Sequence, residues 1–382
     1  MTLAFTRRTV LGSALGAVFA SGARTAQALR GTAFTRAAEA AFAAAEREDG
    51  FSGVILVAQG LQVLLRQAAG FGDREHNVRN TAETQFNLES VTKQFTAAAI
   101  MTLVEDGKVA LIDPISKFYR SSPAAWRDVT VKHLLTHSSG ISDYWVRHWQ
   151  DNPPRTSEFQ SPEGLIQRSL ADPLAFAPGT RFQYSNVGYA LLGVVIEYAS
   201  GESYGTFLKN RIFDPLNMRN TGYGGTLPLN GYRRSAAADA KPGDLISTGP
   251  QNLSSLGGFG GIYSTIDDML IWSRALEGDL ILGRKSRDAM FTDYGFNYGF
   301  GWRFAPKFGQ KLIWHTGAGD NFTAIFDRFP VEQLTVIAMS NVNVPTGQSA
   351  TLLIEGKMET FQANAMRKLV ERVERLYFGG EP

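Results

Sequence analysis

The chain has 382 residues, of which 44% are hydrophobic and 19% are charged, and its formal net charge at pH 7 is +2. The length exceeds the size at which a single hydrophobic core stops growing, so we expect a globular protein with two lobes. There is no cysteine, which excludes disulfides and thiol chemistry, and no basic stripe that would indicate a nucleic-acid or anionic-membrane partner.

The first 28 residues have the features of an export signal. Arg7 and Arg8 precede a short, weakly apolar run, and residues 26–28 (Ala-Gln-Ala) are typical of a cleavage site. This pattern predicts export by the twin-arginine route, to the periplasm or outside the cell; an ordinary amphipathic helix is the alternative. The apolar run is too short for a stable membrane span. Residues 29–382 would then form the folded domain, and loss of three arginines and no acidic residue takes the formal charge from +2 to −1.

Segments typical of strands lie near both ends of the chain, and helical segments lie between them. In chain order, the predicted elements are a helix over 35–47, strands over 53–58 and 62–69, a buried helix from about residue 89, helices over 131–136, 187–199 and 202–211, a surface excursion over 228–250, strands over 298–304, 311–315, 323–329 and 334–340, and a helix over 352–377. The simplest assembly is an α/β fold. In it, both chain ends build one mostly antiparallel sheet flanked by helices, and a helical subdomain of about residues 107–250 is inserted.

The buried helix that begins near residue 89 carries Ser90 and Lys93 in its first turn. Side chains three residues apart lie on one face of a helix, about 5–6 Å apart at Cβ, so this amine can reach this hydroxyl. Lysine is rarely buried unless it is paired or used, and burial lowers the pKa of its amine. A neutral lysine beside a serine is one way of activating a nucleophile. Because S-x-x-K is short, an exposed lysine at a helix N-terminus is the alternative.

Two further polar clusters follow, Tyr-Ser-Asn at 184–186 before an apolar helix and His-Thr-Gly at 315–317 at the end of a strand. The three clusters, in this order, resemble the three motifs of the serine β-lactamase and penicillin-binding superfamily. They are most similar to its class C-like branch, which includes DD-peptidases, D-aminopeptidases and β-lactamase-like esterases. Connecting segments that share the resemblance lie at 133–141, 213–218 and 260–265, so that it covers roughly residues 40–340.

The resemblance implies a β-lactamase/transpeptidase-like fold and an acyl-enzyme mechanism. Ser90 would attack the acyl carbon of the substrate. Lys93 and Tyr184 would pass the serine proton to the leaving group and later draw a proton from water. A buried core tyrosine with a satisfied hydroxyl is the alternative for Tyr184.

The resemblance also implies a set of substrate-binding residues. Asn186 would offer its amide to the acyl side chain, although it could also serve as a helix N-cap. Gly317 would let the strand backbone approach the substrate, and the N–H of Ala318 would complete an oxyanion hole with that of the nucleophile. His315 and Thr316 would contact a substrate carboxylate, unless the histidine is simply a surface residue at a strand end.

The third motif carries His315 where many relatives carry lysine. A histidine with an ordinary pKa near 6.5 is mostly neutral at pH 7, so we expect affinity for carboxylate-bearing substrates to rise as the pH falls towards 6. Thr316 keeps a hydroxyl donor. The resemblance therefore favours hydrolysis of esters or of D-amino-acid peptides and amides. A β-lactamase, or a penicillin- or peptide-binding protein with little turnover, is the alternative.

We expect no cofactor and no metal. His133 and His137 are four residues apart, which on a helix would suit zinc, but the glutamate of the His-Glu-x-x-His motif is absent. Tyr144, Trp145 and Trp149 could form an aromatic wall of the acyl pocket or could pack on the surface. The expected partner is a small-molecule or peptide substrate.

Overall fold

The structure is a computed structural model that describes residues 31–143, 161–235, 244–249, 251–319, 321–343 and 365–380. The predicted signal segment, and the predicted aromatic wall of Tyr144, Trp145 and Trp149, lie outside these ranges. None of the helices within these ranges is long and apolar enough to cross a membrane.

A six-stranded antiparallel sheet is built from both ends of the chain, as the sequence predicted. The six strands are β1 (Gly53–Gln59), β2 (Gln62–Ala69), β10 (Arg303–Lys307), β11 (Gln310–Ala318), β12 (Thr323–Phe329) and β13 (Leu334–Ser340). The strand order of the sheet is β10-β11-β12-β13-β1-β2, so the N-terminal strand β1 lies beside the C-terminal strand β13, with Gly53 opposite Ser340. β1 and β2 form a hairpin that closes around Gly60.

Helices cover both faces of the sheet and enclose two hydrophobic cores. On one face, helix α1 (residues 31–48) and helix α10 (Ala365–Tyr377) bury Phe42 and Val370 against strand residues such as Val336. On the other face, the helix Ile266–Ala275 packs against β1 and β13, and the remaining helices complete the larger core. These helices are α2 (Thr92–Glu105), α3 (Val131–Leu135), α4 (Pro162–Ser169), α5 (Asn186–Ser200), α6 (Tyr204–Leu208), α7 (Gly257–Gly260), α8 (Ile266–Ala275) and α9 (Arg284–Met290).

Helix α2 is buried along almost its whole length, which its all-round apolar sequence predicted. It ends before Gly107, whose φ of 70° lies in the left-handed region that stops helices. The predicted helix over 202–211 is shorter than expected as an α-helix, because α6 changes at Lys209 into a π-helical turn that runs to Phe213.

Short strands form three smaller sheets. The segment 228–250, predicted as a surface excursion, instead contains β7 (Gly231–Arg234) and β8 (Leu245–Gly249), which form a sheet with β14 (Val342–Asn343). The partner strand lies about a hundred residues away, so no local pattern revealed this pairing. The other short strands are β3 (Phe71–Asp73), β4 (Val78–Arg79), β5 (Phe86–Asn87), β6 (Gly222–Tyr223) and β9 (Ile262–Ser264).

The predicted strand over 298–304 is displaced towards the C-terminus, because β10 begins only at Arg303. The preceding loop buries Tyr298, Phe300 and Trp302 completely. Gly301 breaks the extended backbone with a φ of +76°, and a Cβ at this glycine would lie 2.6 Å from the carbonyl oxygen of Lys93. The alternating aromatic pattern therefore indicated burial of these side chains rather than strand pairing.

Candidate active site

Ser90 lies in a 3-10 turn, Glu89–Val91, that leads directly into α2. Glu89 has a φ of 49°, an uncommon conformation for a residue with a side chain. Asn87 holds this residue from two sides, since its Oδ1 accepts from the Glu89 N–H at 2.9 Å and its Nδ2 donates to Glu89 Oε1 at 2.9 Å. The strained turn leaves Ser90 partly exposed while its neighbours Glu89 and Val91 are buried.

Lys93 is completely buried and its amine has three oxygen neighbours. The Nζ atom lies 3.1 Å from Ser90 Oγ. It donates to Asn186 Oδ1 at 3.0 Å and to the carbonyl oxygen of Phe259 at 2.9 Å. The structure therefore brings the first-motif serine and lysine together with the asparagine of the second motif.

The charge state of Lys93 is set by its surroundings. Burial is the main cause that lowers the pKa of the Lys93 amine well below its ordinary value. The negative charges of Asp143 and Glu89 act in the opposite direction, and the positive charge of Arg303 lowers the pKa further. The neutral amine is consequently far more accessible than in a solvated lysine.

Tyr184 lies beside the amine, with Lys93 Nζ 4.8 Å from its ring centroid. Its hydroxyl is buried and has no hydrogen-bond partner among the described residues. Burial raises the pKa of Tyr184, while the nearby Ser90 hydroxyl lowers it by a smaller amount. The phenol therefore keeps its proton at neutral pH, and the alternative of a core tyrosine with a satisfied hydroxyl does not describe it.

Asn186 is the first residue of α5, and Ser185 is its N-cap. The Ser185 Oγ accepts from the Gly188 N–H at 3.1 Å, which is the bond expected of a capping side chain. The side chain of Asn186 is thus left for Lys93, and it does not cap its own helix.

The third motif lies on β11, which extends to Ala318 and packs on the Ser90 turn, Glu89–Val91. A Cβ at Gly317 would lie 2.1 Å from the carbonyl oxygen of Leu88 and 2.8 Å from the Glu89 Cβ. The glycine is thus required for the strand to approach the Ser90 turn, a contact that the sequence did not predict. β10 pairs with β11 only as far as Trp314, so the following part of the strand edge is not paired with β10.

His315 is buried in this strand and forms two hydrogen bonds. Its Nδ1 lies 2.7 Å from the carbonyl oxygen of Thr316, which only accepts, so the proton is on Nδ1 and Nε2 accepts from the Tyr298 hydroxyl at 3.0 Å. Burial is the main cause that lowers the pKa of His315 well below its ordinary value, and the charges of Arg303 and Lys93 add to it. The expected gain of positive charge at His315 near pH 6 does not fit this environment.

Arg303 is a cation of the site that no motif indicated. It is 7% exposed, and its guanidinium carbon lies 5.3 Å from the ring centroid of Tyr184, 5.5 Å from that of Tyr298 and 5.6 Å from that of Trp314. The available signal was a charged residue near the end of the predicted strand over 298–304, directly after an aromatic run.

The two histidines that suggested zinc face different partners. His133 Nδ1 accepts from the Thr130 N–H at 3.2 Å at the start of α3, and His137 Nδ1 accepts from the Ser185 N–H at 3.0 Å. Within the described ranges, no group of three or more histidine, cysteine or acidic side chains is arranged to hold a metal ion.

Comparison with known proteins gives the same assignment as the three motifs. The family model described as Beta-lactamase matches residues 36–355. A D-aminopeptidase of Brucella anthropi is 29% identical over 308 residues, which cover 76% of this chain and 56% of the relative. Esterase EstB of Burkholderia gladioli is 34% identical over 221 residues, which cover 52% of this chain and 56% of the relative. The chain thus spans a little over half the length of these two proteins.

Among solved structures, the crystal structure of a penicillin binding protein from Bacillus halodurans is similar to this chain with a TM-score of 0.68. The two are 26% identical, and the match covers 79% of this chain and 94% of the other. The predicted antiparallel sheet with flanking helices is confirmed as a β-lactamase/transpeptidase-like fold. The chain belongs to the beta-lactamase family and is a serine hydrolase.

Proposed function

We propose that the chain hydrolyses esters, or peptides and amides of D-amino acids, through an acyl-enzyme on Ser90. The observation that carries the proposal is the set of partners around the Lys93 amine. Two of its three neighbours, Asn186 Oδ1 and the Phe259 carbonyl oxygen, can only accept hydrogen bonds. A neutral amine has two hydrogens and one lone pair, so with both hydrogens donated the lone pair is left for the Ser90 hydroxyl, 3.1 Å away.

This arrangement favours Lys93 over Tyr184 as the base for acylation. Because burial keeps the phenol protonated and makes the neutral amine accessible, Lys93 takes the Ser90 proton as Oγ attacks the acyl carbon. As the bond from the acyl carbon to the leaving group breaks, Tyr184 donates its proton to that group and recovers one from the Lys93 ammonium. Water then attacks the acyl carbon while the pair of Lys93 and Tyr184 takes its proton. The bond to Ser90 Oγ breaks, Oγ receives that proton, and the free acid is released.

The negative oxygen formed in both steps needs donors that are already in place. The backbone N–H groups of Ser90 and Ala318 would serve as these donors, because Gly317 and its neighbours pack directly on the Ser90 turn. Such preorganised donors are typically worth a few kcal/mol each in the transition state, about 2.7–4 in one measured case.

The substrate class is supported by the relatives. Proteins named D-aminopeptidase and esterase are similar to this chain over 76% and 52% of its length. A carboxylate-bearing substrate, such as a D-alanyl peptide or a β-lactam, is the second candidate, because Arg303 places a buried guanidinium beside Tyr184. His315, which stays neutral in its buried position, would not supply this charge.

A substrate panel tests the proposal. Values of kcat/KM would be measured for a short nitrophenyl ester, a D-alanine nitroanilide, a D-alanyl-D-alanine peptide and nitrocefin, with Ser90→Ala as the blank. We expect many turnovers per enzyme on the ester or the D-alanine anilide, and slower hydrolysis of nitrocefin. Release of no more than one product equivalent per enzyme with every substrate would instead indicate a binding protein.

A further inference from the structure

The segment from His137 to Asp143 accepts hydrogen bonds from four backbone N–H groups between residues 183 and 187, in and beside the second motif. The Gln183 N–H donates to the His137 carbonyl oxygen at 2.8 Å, and the next-but-one N–H, that of Ser185, donates to His137 Nδ1 at 3.0 Å. The N–H of Asn186 donates to Asp143 Oδ2. The N–H of the following residue, Val187, donates to the same oxygen at 3.2 Å.

We propose that His137 and Asp143 are positioning residues for the acyl-transfer reaction, which act by fixing the backbone of residues 184–187. This backbone carries Tyr184, and it also carries Asn186, whose Oδ1 receives a hydrogen bond from the Lys93 amine. The inference rests on the proposed function, and it concerns how the catalytic side chains are held in place.

Ordinary helix capping does not explain these contacts. The first four N–H groups of a helix have no partner within the helix, and a capping side chain usually satisfies one of them. In α5, Ser185 Oγ already performs this task by accepting from Gly188. Asp143 accepts from two further N–H groups in the first turn of α5, those of Asn186 and Val187. They lie at the positive end of the helix dipole, where a carboxylate is favoured.

The burial of Asp143 makes this contact a rigid one. Asp143 is completely buried, and a buried carboxylate is strongly disfavoured unless donors surround it. Any shift of the α5 N-terminus would remove donors from this oxygen. The position of Asn186 is therefore coupled to that of Asp143.

His137 is suited to the same task by its backbone and its charge state. Its φ of 55° turns the chain so that both its carbonyl oxygen and its ring face the second motif. The ring packs on that of Tyr184, with centroids 4.3 Å apart. Burial is the main cause that lowers the pKa of His137 well below its ordinary value, so Nδ1 remains an acceptor at neutral pH.

Asp143 also acts on Lys93 through its charge. The charged groups that act on this amine are Asp143, Glu89 and Arg303. The aromatic rings of Tyr184, Tyr189 and Phe259 face it within 5.7 Å, and the neutral rings of His137 and His315 are close enough for its charge to lower their pKa. The carboxylate of Asp143 stabilises the ammonium form. Removal of that charge without a change of shape should therefore lower the pKa of Lys93 further.

The first test compares Asp143→Asn with Asp268→Asn. Asp268 is a matched control, since it is also buried and accepts from a backbone N–H, that of Asn220 at 2.8 Å, but it is not among the charges that act on Lys93. With a neutral nitrophenyl ester, Asp143→Asn should reduce kcat/KM at least about tenfold, the size expected for disturbance of an acid–base group. The acidic limb of its pH–rate profile should move to lower pH, because the charge that stabilises the Lys93 ammonium is gone. Asp268→Asn should lower the Tm and leave the acidic limb of the pH–rate profile at its wild-type pH.

The second test uses the acceptor of His137. Asparagine tolerates the left-handed backbone and places an oxygen near the position of Nδ1, whereas glutamine reaches the position of Nε2. His137→Asn should therefore retain most of the kcat, and His137→Gln should lose about tenfold or more at unchanged fold. If Asp143→Asn does not fold, the comparison of His137→Asn with His137→Gln tests the positioning role on its own.

The rate at which a fluorophosphonate labels Ser90 separates this inference from the proposed function. If the wild type turns over no substrate, the proposed function fails, and the labelling rates of the same variants still test the positioning role. If the wild type is active while folded Asp143→Asn and His137→Gln match it in rate and pH profile, the positioning role is wrong. Equal losses of kcat/KM in Asp143→Asn and Asp268→Asn, with the acidic limbs of both pH–rate profiles unmoved, would also overturn the positioning role.

Discussion

At the scale of single residues, burial favours the neutral form of both Lys93 and Tyr184. It disfavours the charged form of each, so it lowers the pKa of the amine and raises that of the phenol. The pair therefore offers the Ser90 hydroxyl one proton acceptor and one proton donor at neutral pH. For a neutral ester, kcat/KM should fall only when the pH drops below the depressed pKa of Lys93.

Lys93→Arg should lose activity by a factor on the order of 10²–10⁴, because a guanidinium does not give up its proton. The measurement is kcat/KM for a neutral ester, with the Tm as a check of folding. Lys117→Arg is the control, since this lysine is half exposed and paired with Asp113 at 2.8 Å. Near-wild-type turnover by folded Lys93→Arg would remove Lys93 from the role of base.

Tyr184→Phe should separate activity from stability. The hydroxyl has no hydrogen-bond partner among the described residues, and its neighbour Ser90 keeps the Lys93 amine at 3.1 Å. Its removal therefore leaves no polar group unpaired, and the Tm should stay the same or rise. Turnover should fall by about 10²–10⁴ if the hydroxyl is the proton donor. A lower Tm together with unchanged turnover would show that the phenol has a structural role instead.

At the scale of elements, local patterns were predictable from sequence and distant contacts were not. The hairpin of β1 and β2 was predicted to within a residue, because its apolar pattern and the turn at Gly60 are local. The buried helix α2 and the three motifs were found for the same reason. Arg303 and Asp143 were not identified from the sequence. Arg303 matters through its contact with Tyr184 and Asp143 through its contact with Asn186, and each contact joins residues more than forty positions apart.

Gly317→Ala tests the contact between β11 and the Ser90 turn. The added Cβ would lie 2.1 Å from the Leu88 carbonyl oxygen, so the strand or the turn must move. Overpacking of this kind typically costs about 1–3 kcal/mol, and activity should be lost with the displaced turn. Gly278→Ala is the control, because no atom lies within 4 Å of its added Cβ. A Gly317→Ala protein with unchanged Tm and activity would contradict the packing described for β11.

At the scale of the whole molecule, a buried cluster of charges fixes α10 to the sheet. Glu374 of α10 and Asp327 of β12 are both completely buried. Lys307 of β10 binds the carboxylate of Glu374 and lies 3.7 Å from Asp327 Oδ2. Burial is the main cause that raises the pKa of Glu374 well above its ordinary value, and the neighbouring Asp327 raises it further.

A carboxyl group whose pKa is raised by folding binds more protons in the folded state than in the unfolded state. Its contribution to stability therefore falls as the pH rises from its ordinary pKa, about 4.3, through its folded pKa. Glu374→Gln keeps the shape and removes the titration, so its Tm relative to the wild type should be higher at pH 8 than at pH 5. Thermal unfolding of both proteins at the two pH values measures this. A relative Tm that is lower at pH 8 would show that Glu374 is stabilised as a carboxylate.

The acyl-enzyme on Ser90 is the central claim, and mass spectrometry of a quenched reaction tests it most directly. The protein would be mixed with a nitrophenyl ester, acidified within the first turnovers and digested. We expect an adduct of the acyl mass on the peptide that contains Ser90, and no adduct in Ser90→Ala. Turnover by Ser90→Ala, or an adduct on another residue that persists in this variant, would contradict it.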